Sequence, residues 1–432
     1  MSDKSCELRA NGRPRPHLVI LGGGFGGAYC AQALKKAVKR GEVDVTVIDR
    51  HNYFIFYPLL VEAGTGSLHP RHTVVSIRDF TGDCTFRMAD VETVDTNAQT
   101  VSYRMSGSDV VDVLRYDQLV ISLGSVTRLP PIPGLEEHGY ELKSLAEAVA
   151  LRDHAIQVLE RADAADSEER QRQLLHFVVV GGSFTGIEVA GEFSEFLREA
   201  SGHFPNVNPD LCRISLVELN DRILPALDED LSAYAAKKLA ARGVNILLET
   251  SVERIAADHV VLDDGRRLES ETVIWCAGIA PNPLLGTMPL PFDELGYVLC
   301  EPDLRVKGFD NIWAIGDAAV NPAPDGTAYA PTAQSAVRQG AHLARTLRRL
   351  AAGEAPKPFV YNTVGTLAAL GCRTGVAKIF GIKLSGFLAW FLWRTVYLSK
   401  MPGLARKVRV ALDWTLDLFF GRDIVQLGVH RH

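Results

Sequence analysis

Six residues near the N-terminus form the first pattern that could do chemistry. Gly22-Gly23-Gly24-Phe25-Gly26-Gly27 satisfies G-x-G-x-x-G and stands between an apolar run and a helix-like stretch. A glycine turn that opens a helix offers backbone amides and a favourable dipole to a pyrophosphate, because the missing side chains let the backbone approach it. Asp49 lies 22 residues beyond Gly27, about where a ribose-binding carboxylate belongs. This combination predicts a dinucleotide site rather than an ordinary tight turn.

A second copy of the pattern lies in the middle of the chain. HFVVVGGSFTG, from His176, repeats HLVILGGGFGG, from His17. Gly181, Gly182 and Gly186 take the glycine positions of the second copy. Each copy is an apolar run, a glycine turn and a helical stretch, which is how a buried parallel strand leads into a helix. The repeat predicts two dinucleotide-binding units in one chain.

The second unit departs from the usual pattern in two ways. Ser183 stands where closest approach to a phosphate is wanted, so binding there is expected to be looser. Glu218, near the end of the next apolar run, predicts a ribose ligand whose charge repels a 2′-phosphate. Arg222 lies close enough to keep the coenzyme preference open. A solvated charge at a strand end is the alternative interpretation of Glu218.

A third turn, Gly316-Asp317, follows the apolar run NIWAI. It places a carboxylate beside tightly turned backbone, where the carboxylate can accept a hydrogen bond from a hydroxyl of a bound dinucleotide. Turns of this kind are common, so this signal depends on the two glycine motifs that accompany it.

Composition excludes several classes of protein. The chain has 432 residues, enough for two or three domains, and its net charge of −6 argues against nucleic acid as a partner. The seven cysteines form no CxxC pair and no metal-ligand cluster. His69 and His72 have an HxxH spacing without a third ligand, which favours a surface pair over a metal site. The first sixteen residues lack the apolar stretch of a signal peptide, so we expect a loose tail and a cytoplasmic chain.

The order of apolar runs predicts an α/β fold with two Rossmann-like domains. Short strands are expected between residues 73 and 125, and helices from Leu145 to Ala164 and from Thr332 to Leu350. The expected domains are a first part of one dinucleotide domain at 16–150, a second dinucleotide domain at 151–283, the second part of the first domain at 284–354, and a C-terminal region at 355–432.

The C-terminal region has an unusual composition. Nine Lys or Arg and no Asp or Glu occur from Ala355 to Leu412, interleaved with aromatic and aliphatic residues. Its apolar runs are much shorter than the roughly 20 residues that a membrane span needs. The pattern is typical of an amphipathic helix at the surface of an anionic membrane. The alternative is a helix that docks on the protein's own core or in a homodimer.

The motifs together resemble one family over nearly the whole chain. HLVILGGGFGG, RHNYFIFYPLLVEAGTG, YDQLVISLGS, VVVGGSFTGIEVAGE, TVIWCAG, NIWAIGDAA and PTAQSAVRQG occur in the order found in the type II NADH dehydrogenases, which belong to the two-dinucleotide-domain flavoproteins of glutathione-reductase type. The resemblance implies FAD and NADH as cofactors and a hydride relay to a quinone, with the enzyme peripheral on the cytoplasmic face of the cell membrane. Tyr57 departs from the family, which often has a glutamine before the PLL.

The resemblance also implies site residues. Glu188 is expected near the nicotinamide and the flavin, and Gln334 at the quinone site. From the residues alone, Glu188 could simply favour a helix N-terminus, and Gln334 could be an ordinary polar residue there. The other implied positions are Gly22, Gly24, Phe25, Gly27, Asp49, Gly124, Gly316 and Asp317 for FAD, and Gly181, Gly182, Gly186, Glu218 and Gly278 for NADH.

Two other functions stay open at this stage. One is sulfide:quinone or disulfide oxidoreduction on the same fold, which needs paired redox cysteines, and only Cys276 and Cys300 are candidates to meet in space. The other is a non-catalytic flavoprotein that senses NADH, which would be reduced by NADH without rapid reoxidation by a quinone.

Overall fold

The computed structural model describes residues 15–371 and 373–429. The expected loose tail falls largely on residues 1–14, and two of the seven cysteines are Cys6 and Cys372. These positions lie outside the described residues.

The secondary structure alternates strands and helices through most of the chain. The strands are β1 (His17–Leu21), β2 (Asp44–Asp49), β3 (Tyr53–Ile55), β4 (Val74–Ser76), β5 (Thr85–Asp95), β6 (Thr100–Met105), β7 (Val111–Arg115), β8 (Gln118–Ile121), β9 (Ser125–Thr127), β10 (Gly139–Tyr140), β11 (His176–Val180), β12 (Arg213–Val217), β13 (Val244–Leu247), β14 (Val252–Ile255), β15 (His259–Leu262), β16 (Arg267–Glu269), β17 (Thr272–Trp275), β18 (Ile279–Pro281), β19 (Val298–Leu299), β20 (Ile312–Ala314), β21 (Ala319–Val320), β22 (Gly365–Ala369), β23 (Gly375–Ile379) and β24 (Ile382–Gly386). The helices are α1 (Phe25–Lys39), α2 (Leu60–Gly64), α3 (Ile77–Thr81), α4 (Leu135–His138), α5 (Leu145–Asp163), α6 (Glu168–Leu174), α7 (Phe184–Ala200), α8 (Glu229–Ala240), α9 (Ala333–Ala351), α10 (Phe387–Lys400) and α11 (Leu404–Leu416). The two helices predicted from the sequence are confirmed as α5 and α9.

The chain forms two compact units. The first contains the described residues up to Phe54, Val75–Val126 and Ile279–Thr363. The second contains Ile55–Val74, Thr127–Gly278 and the described residues from Val364 onward. The four domains predicted from the sequence are finer than these units, and their limits stay a prediction.

The first unit is built on a seven-stranded sheet with the order β20-β8-β1-β2-β5-β6-β7. The strands from β20 to β5 are parallel, and β6 and β7 are added antiparallel. The chain leaves β1 through α1 to β2 on one side and returns to β8 on the other. The carboxyl end of β1 is therefore a point where the strand order reverses, which is where ligands bind in open α/β sheets.

The second unit repeats this arrangement with a parallel sheet in the order β10-β17-β11-β12-β13. Here β11 lies between β12 and β17, so its carboxyl end is the corresponding reversal point. The strand residues of β11 are buried throughout, and Phe177 of β11 is fully buried together with Phe193 and Phe196 of α7. Burial on both faces explains why the sequence of this strand is continuously apolar.

The C-terminal region is more mixed than its composition indicated. It begins with a three-stranded antiparallel sheet, β22-β23-β24, and only then forms α10 and α11. The prediction of a helical region did not include this sheet. Its strands are short and separated by glycine turns at Gly371 and Gly381, both with positive φ, and the apolar residues between the turns are too few to show a clear two-residue period.

The last described segment returns to the second unit. Asp153 on α5 accepts hydrogen bonds from the amides of Leu427 and Val429, at 2.9 Å each. Arg152 donates to the carbonyl of Asp423, and Arg422 forms ion pairs with α7. The end of the described chain is thus held by buried polar groups as well as by Ile424, which packs against the apolar core.

Candidate functional site

The first glycine turn has the shape that a bound pyrophosphate requires. Gly22 has φ +96°, and a Cβ there would lie 2.2 Å from the Ser122 carbonyl oxygen. A Cβ on Gly27 would lie 2.0 Å from the Gly22 carbonyl oxygen. At Gly24, in contrast, no atom lies within 4 Å of a Cβ. Gly22 and Gly27 are therefore needed to form the turn, whereas Gly24 leaves open space against the backbone for a ligand.

Asp49 stands beside this turn. Its carboxylate accepts hydrogen bonds from the amides of Gly23 at 2.7 Å and His51 at 2.8 Å. Burial raises the pKa of Asp49, and the two amides lower it in part. Each carboxylate oxygen can accept a further hydrogen bond, which leaves acceptor capacity for a ribose hydroxyl.

The Gly316-Asp317 turn packs against α9 in the same unit. The Gly316 amide, with φ +69°, donates to Gln339 Oε1 at 2.7 Å, and Asp317 accepts from Ser125 Oγ at 3.2 Å. α9 packs directly on α1, since a Cβ on Gly340 would lie 2.3 Å from the Gly26 carbonyl oxygen.

Gly124 and Phe25 are the remaining positions predicted for FAD. Gly124 has φ +66° with nothing within 4 Å of a Cβ, and Phe25 is the first residue of α1, with its ring 5.7 Å from that of Phe54. The first unit thus brings all eight predicted FAD residues around its sheet and α1, and its open glycine cradle fits a dinucleotide.

The second glycine turn repeats the first in detail. Gly181 has φ +104°, and a Cβ on Gly186 would lie 1.7 Å from the Gly181 carbonyl oxygen. Ser183 is exposed at the N-cap of α7, and its side chain makes no capping hydrogen bond. Gly278, with φ +88°, follows β17, the strand next to β11. The serine thus leaves the backbone geometry of the turn intact.

Glu218 is buried rather than solvated. It is 6% exposed and accepts hydrogen bonds from the Gly182 amide at 2.5 Å and the Asn220 amide at 2.8 Å. The alternative of a solvated strand-end charge is therefore wrong. Arg222 forms an ion pair with Glu229 at 3.4 Å and donates to the Pro225 carbonyl at 3.3 Å, so it is directed along its own loop.

Glu188 lies on α7, one turn beyond the glycine motif. It accepts a hydrogen bond from the Ala369 amide of β22 at 3.1 Å. Burial, together with the neighbouring carboxylates of Glu62 and Glu192, raises the pKa of Glu188 to about 8, and the hydrogen bond from the Ala369 amide offsets part of the rise. A pKa in this range is that of a group that can hold or release a proton near neutral pH, which a solvated acid at a helix N-terminus would not do.

Gln334 lies in the first turn of α9 in the other unit. Its Oε1 accepts a hydrogen bond from the Tyr361 hydroxyl at 2.5 Å, and its carbonyl accepts one from Arg338 at 3.0 Å. The Arg338 guanidinium also stacks 4.4 Å from the Tyr361 ring centroid. These contacts define the orientation of the carboxamide, and its role at a quinone site stays a prediction.

Sequence reasoning missed a buried polar cluster in the second unit. Glu62 of α2 is 5% exposed, and its Oε2 accepts a hydrogen bond from Trp414 Nε1 at 2.8 Å. Arg394 lies 3.6 Å from Glu62, with its guanidinium between the rings of Trp390 and Trp414 at 4.5 and 4.7 Å. Burial raises the pKa of Glu62 to about 7, and Arg394 offsets part of that rise. The sequence signal was an acid inside the otherwise apolar run PLLVEAG.

The contacts of the histidine pair and of the described cysteines indicate structural roles. His72 Nδ1 lies 2.5 Å from Asp413 Oδ2, so the pair fastens α11. No group of three His, Cys, Asp or Glu within residues 15–371 and 373–429 could hold a metal ion.

The five described cysteines are free thiols, and burial raises the pKa of Cys276 to about 12. A thiol with so high a pKa is a poor nucleophile, which does not favour disulfide chemistry.

No helix in the described part of the chain is both long and apolar enough to cross a membrane.

Comparisons with known proteins agree with this geometry. Residues 16–340 match the family described as pyridine nucleotide-disulphide oxidoreductase, and residues 364–423 match the NDH2 C-terminal domain. The chain is 32% identical over 94% of its length to "Probable NADH dehydrogenase" of Dictyostelium discoideum, covering 90% of that protein. It is 30% identical over 96% of its length to "Type II NADH:quinone oxidoreductase NdhA" of Mycobacterium tuberculosis, covering 89% of that protein.

A solved structure shows the same fold. The structure of NDH2 from Plasmodium falciparum in complex with NADH superposes with a TM-score of 0.87 at 21% identity, covering 95% of this chain and 100% of that one. The two glycine cradles, the match over most of the chain and the C-terminal domain together place this chain among the pyridine nucleotide-disulphide oxidoreductases, in the family of type II NADH:quinone oxidoreductases.

Proposed function

We propose that this chain oxidises NADH by means of a bound FAD and passes two electrons to a membrane quinone without pumping protons. The observation that carries the proposal is the pair of dinucleotide cradles, one in each unit, each with a carboxylate beside its glycine turn, partly buried at Asp49 and buried at Glu218. When bound, FAD takes up a hydride from NADH and returns two electrons to a quinone.

The chain's own residues supply binding and proton control. The open backbone at Gly24 and the carboxylates of Asp49 and Asp317 fit FAD, while Gly182 and Glu218 fit the coenzyme. A buried carboxylate at the ribose position disfavours a 2′-phosphate, which supports NADH over NADPH. Glu188, with its raised pKa, would exchange the proton that quinone reduction requires, and Gln334 would hydrogen-bond the quinone.

Stopped-flow measurement of the flavin absorbance tests this function. We expect NADH to bleach the flavin band rapidly and NADPH slowly, and a ubiquinone or menaquinone analogue to restore it. Restoration by disulfides alone would overturn the proposal, and bleaching with no restoration by any quinone would indicate a sensor of NADH instead. A variant with Ser in place of the five described cysteines should keep full turnover.

We further propose that α10 and α11 hold the protein on the cytoplasmic face of the cell membrane. Leu404, Val408, Leu412 and Leu416 recur every fourth residue on α11 and are 50–78% exposed. The opposite side of α11 packs inward through Val410 and Trp414. An exposed apolar stripe flanked by Arg406, Lys407 and Arg409 is the pattern of a helix lying in an anionic membrane surface.

Vesicle flotation separates this proposal from a homodimer formed through the same stripe. Val408→Glu and Leu412→Glu should abolish binding to vesicles that contain anionic lipid. Val113→Glu is the matched control, because Val113 on β7 is 63% exposed but belongs to the other unit. If the two α11 variants still float and instead change the solution mass from dimer to monomer, the stripe is a dimer interface.

A further inference from the structure

A row of four glutamates runs along one face of α7. Glu188, Glu192, Glu195 and Glu199 are spaced by four, three and four residues, which places their side chains one above the other on a helix. Like charges at this spacing destabilise a helix, so a row of this length requires compensation or a role. We call these four residues the acid row.

The acid row reaches the surface at its outer end. Glu188 is partly buried and Glu192 is 8% exposed, while the side chains of Glu195 and Glu199 are 31% and 39% exposed. Burial raises the pKa of Glu192, and Arg422 offsets part of the rise. The pKa of about 8 at Glu188 makes its neutral and charged forms both accessible near neutral pH.

A polar cavity follows the outer part of the acid row. It has a volume of about 90 Å³, room for several waters. Its walls include Glu192, Glu195 and Glu199 together with Ser67, Asp417 and Arg422. Arg422, with a side chain only 6% exposed, lies 3.1 Å from Glu192, 3.6 Å from Glu195 and 3.4 Å from Glu199.

The buried NH groups near the row differ in their partners. Trp393 is 2% exposed, and its Nε1 acts as a hydrogen-bond donor that lowers the pKa of Glu188. Arg394 lines the cavity, and its Nε is buried without a hydrogen-bond partner among the described residues. Buried NH groups are almost always satisfied, and a water is the ordinary partner in a polar cavity of this size.

We propose that the acid row and its cavity form the inlet through which a proton from water reaches Glu188. The inference rests on the proposed function, in which NADH, one proton and a quinone give NAD⁺ and the quinol. The hydride of NADH supplies two electrons and one proton, so one further proton must enter from water in each turnover. Glu192 is the relay residue between the cavity and Glu188, and Glu62 shares the proton at the inner end.

Glu192→Gln tests the inlet, because it keeps the shape of the side chain and removes the titratable group. We expect bleaching of the flavin by NADH to keep its rate, since that step takes no proton from water. Restoration by quinone should slow by about tenfold or more, and small weak acids such as formate and azide should rescue it. Glu160→Gln, an exposed acid on α5, is the matched control and should change neither rate.

A second readout does not depend on turnover. Infrared titration of the resting holoenzyme should show a protonated carboxyl band that Glu192→Gln removes and Glu160→Gln retains. Loss of both half-reactions to the same extent without rescue by weak acids would assign Glu192 a structural role and overturn the inlet. Unchanged quinone-driven restoration in the variant would also overturn it, whereas absence of restoration in the wild-type protein would instead refute the proposed function.

Discussion

Substitution of Gly24 by alanine separates ligand binding from folding more cleanly than any other change in the first turn. Gly24 has φ −72°, which alanine adopts without strain, and a Cβ there meets no atom of the chain within 4 Å. We therefore expect the free energy of unfolding of the Gly24→Ala apoprotein to lie within about 0.5 kcal/mol of the wild-type value, as for a substitution at an ordinary surface position.

The effect on FAD should be much larger. A methyl group in the open space above the turn keeps the pyrophosphate from the backbone amides at the start of α1. Hydrogen bonds from amides to a charged group are worth about 1.5–3 kcal/mol each, so loss of one lowers the affinity for FAD by roughly 10- to 150-fold. Gly22→Ala is the contrasting variant, because its Cβ would lie 2.2 Å from the Ser122 carbonyl oxygen and the fold itself should fail.

The assay is release of FAD on dilution, followed by flavin fluorescence, alongside thermal unfolding of the apoprotein. The reasoning is refuted if Gly24→Ala retains FAD as tightly as wild type. It is also refuted if the free energy of unfolding of the variant apoprotein falls by more than about 2 kcal/mol, since the added methyl group would then clash with the chain.

Three further predictions concern the other sites. Glu218→Ala should raise the KM for NADH roughly tenfold or more, because a charge-assisted hydrogen bond to the ribose is lost, and an unchanged KM would contradict the assignment. Tyr361→Phe removes the hydrogen bond that orients Gln334. Because such a hydrogen bond is worth about 1 kcal/mol, the KM for quinone should rise by about fivefold, while the rate at which NADH bleaches the flavin stays unchanged. Equal changes in both half-reactions would contradict this prediction. Burial raises the pKa of Glu62 from the ordinary glutamate value of 4.5 to about 7, so its protonated form stabilises the fold below pH 4.5 and this stability is lost as the pH rises through 7. In Glu62→Gln the free energy of unfolding, measured in urea, should therefore fall less steeply between pH 5 and pH 7 than in wild type, and identical slopes would show that Glu62 does not titrate there.

The parts of this fold that could be predicted from sequence are local. A glycine turn between a buried strand and a helix needs particular residues at fixed spacing, so it can be recognised in the sequence. The carboxylates of Asp49 and Glu218 can be recognised in the same way, because they lie at the ends of the next strands. The amphipathic pattern of α11 also follows from its own residues. The roles of Glu188 and Gln334, in contrast, came from the family resemblance and stay predictions.

The parts that could not be predicted depend on contacts between distant residues. Nothing near Glu192 in the sequence indicates that Arg422, 230 residues away, neutralises it. The segment Ile55–Val74 leaves its sequence neighbours to join the second unit, where Leu60 and Val61 enter the apolar core and Glu62 contacts Trp414 and Arg394. The spacing of the four glutamates in the acid row is visible in the sequence, but their degree of burial is not.

The attachment of the last described residues to α5 and α7 makes this end of the chain a structural component. A protein shortened before Arg422 would leave the buried Glu192 without its cation and Asp153 without the amides of Leu427 and Val429. An unpaired buried carboxylate costs several kcal/mol, so such a protein would expose this corner to proteases and quality-control machinery. Deletions that remove Arg422, Leu427 and Val429 therefore act on the stability of the second unit.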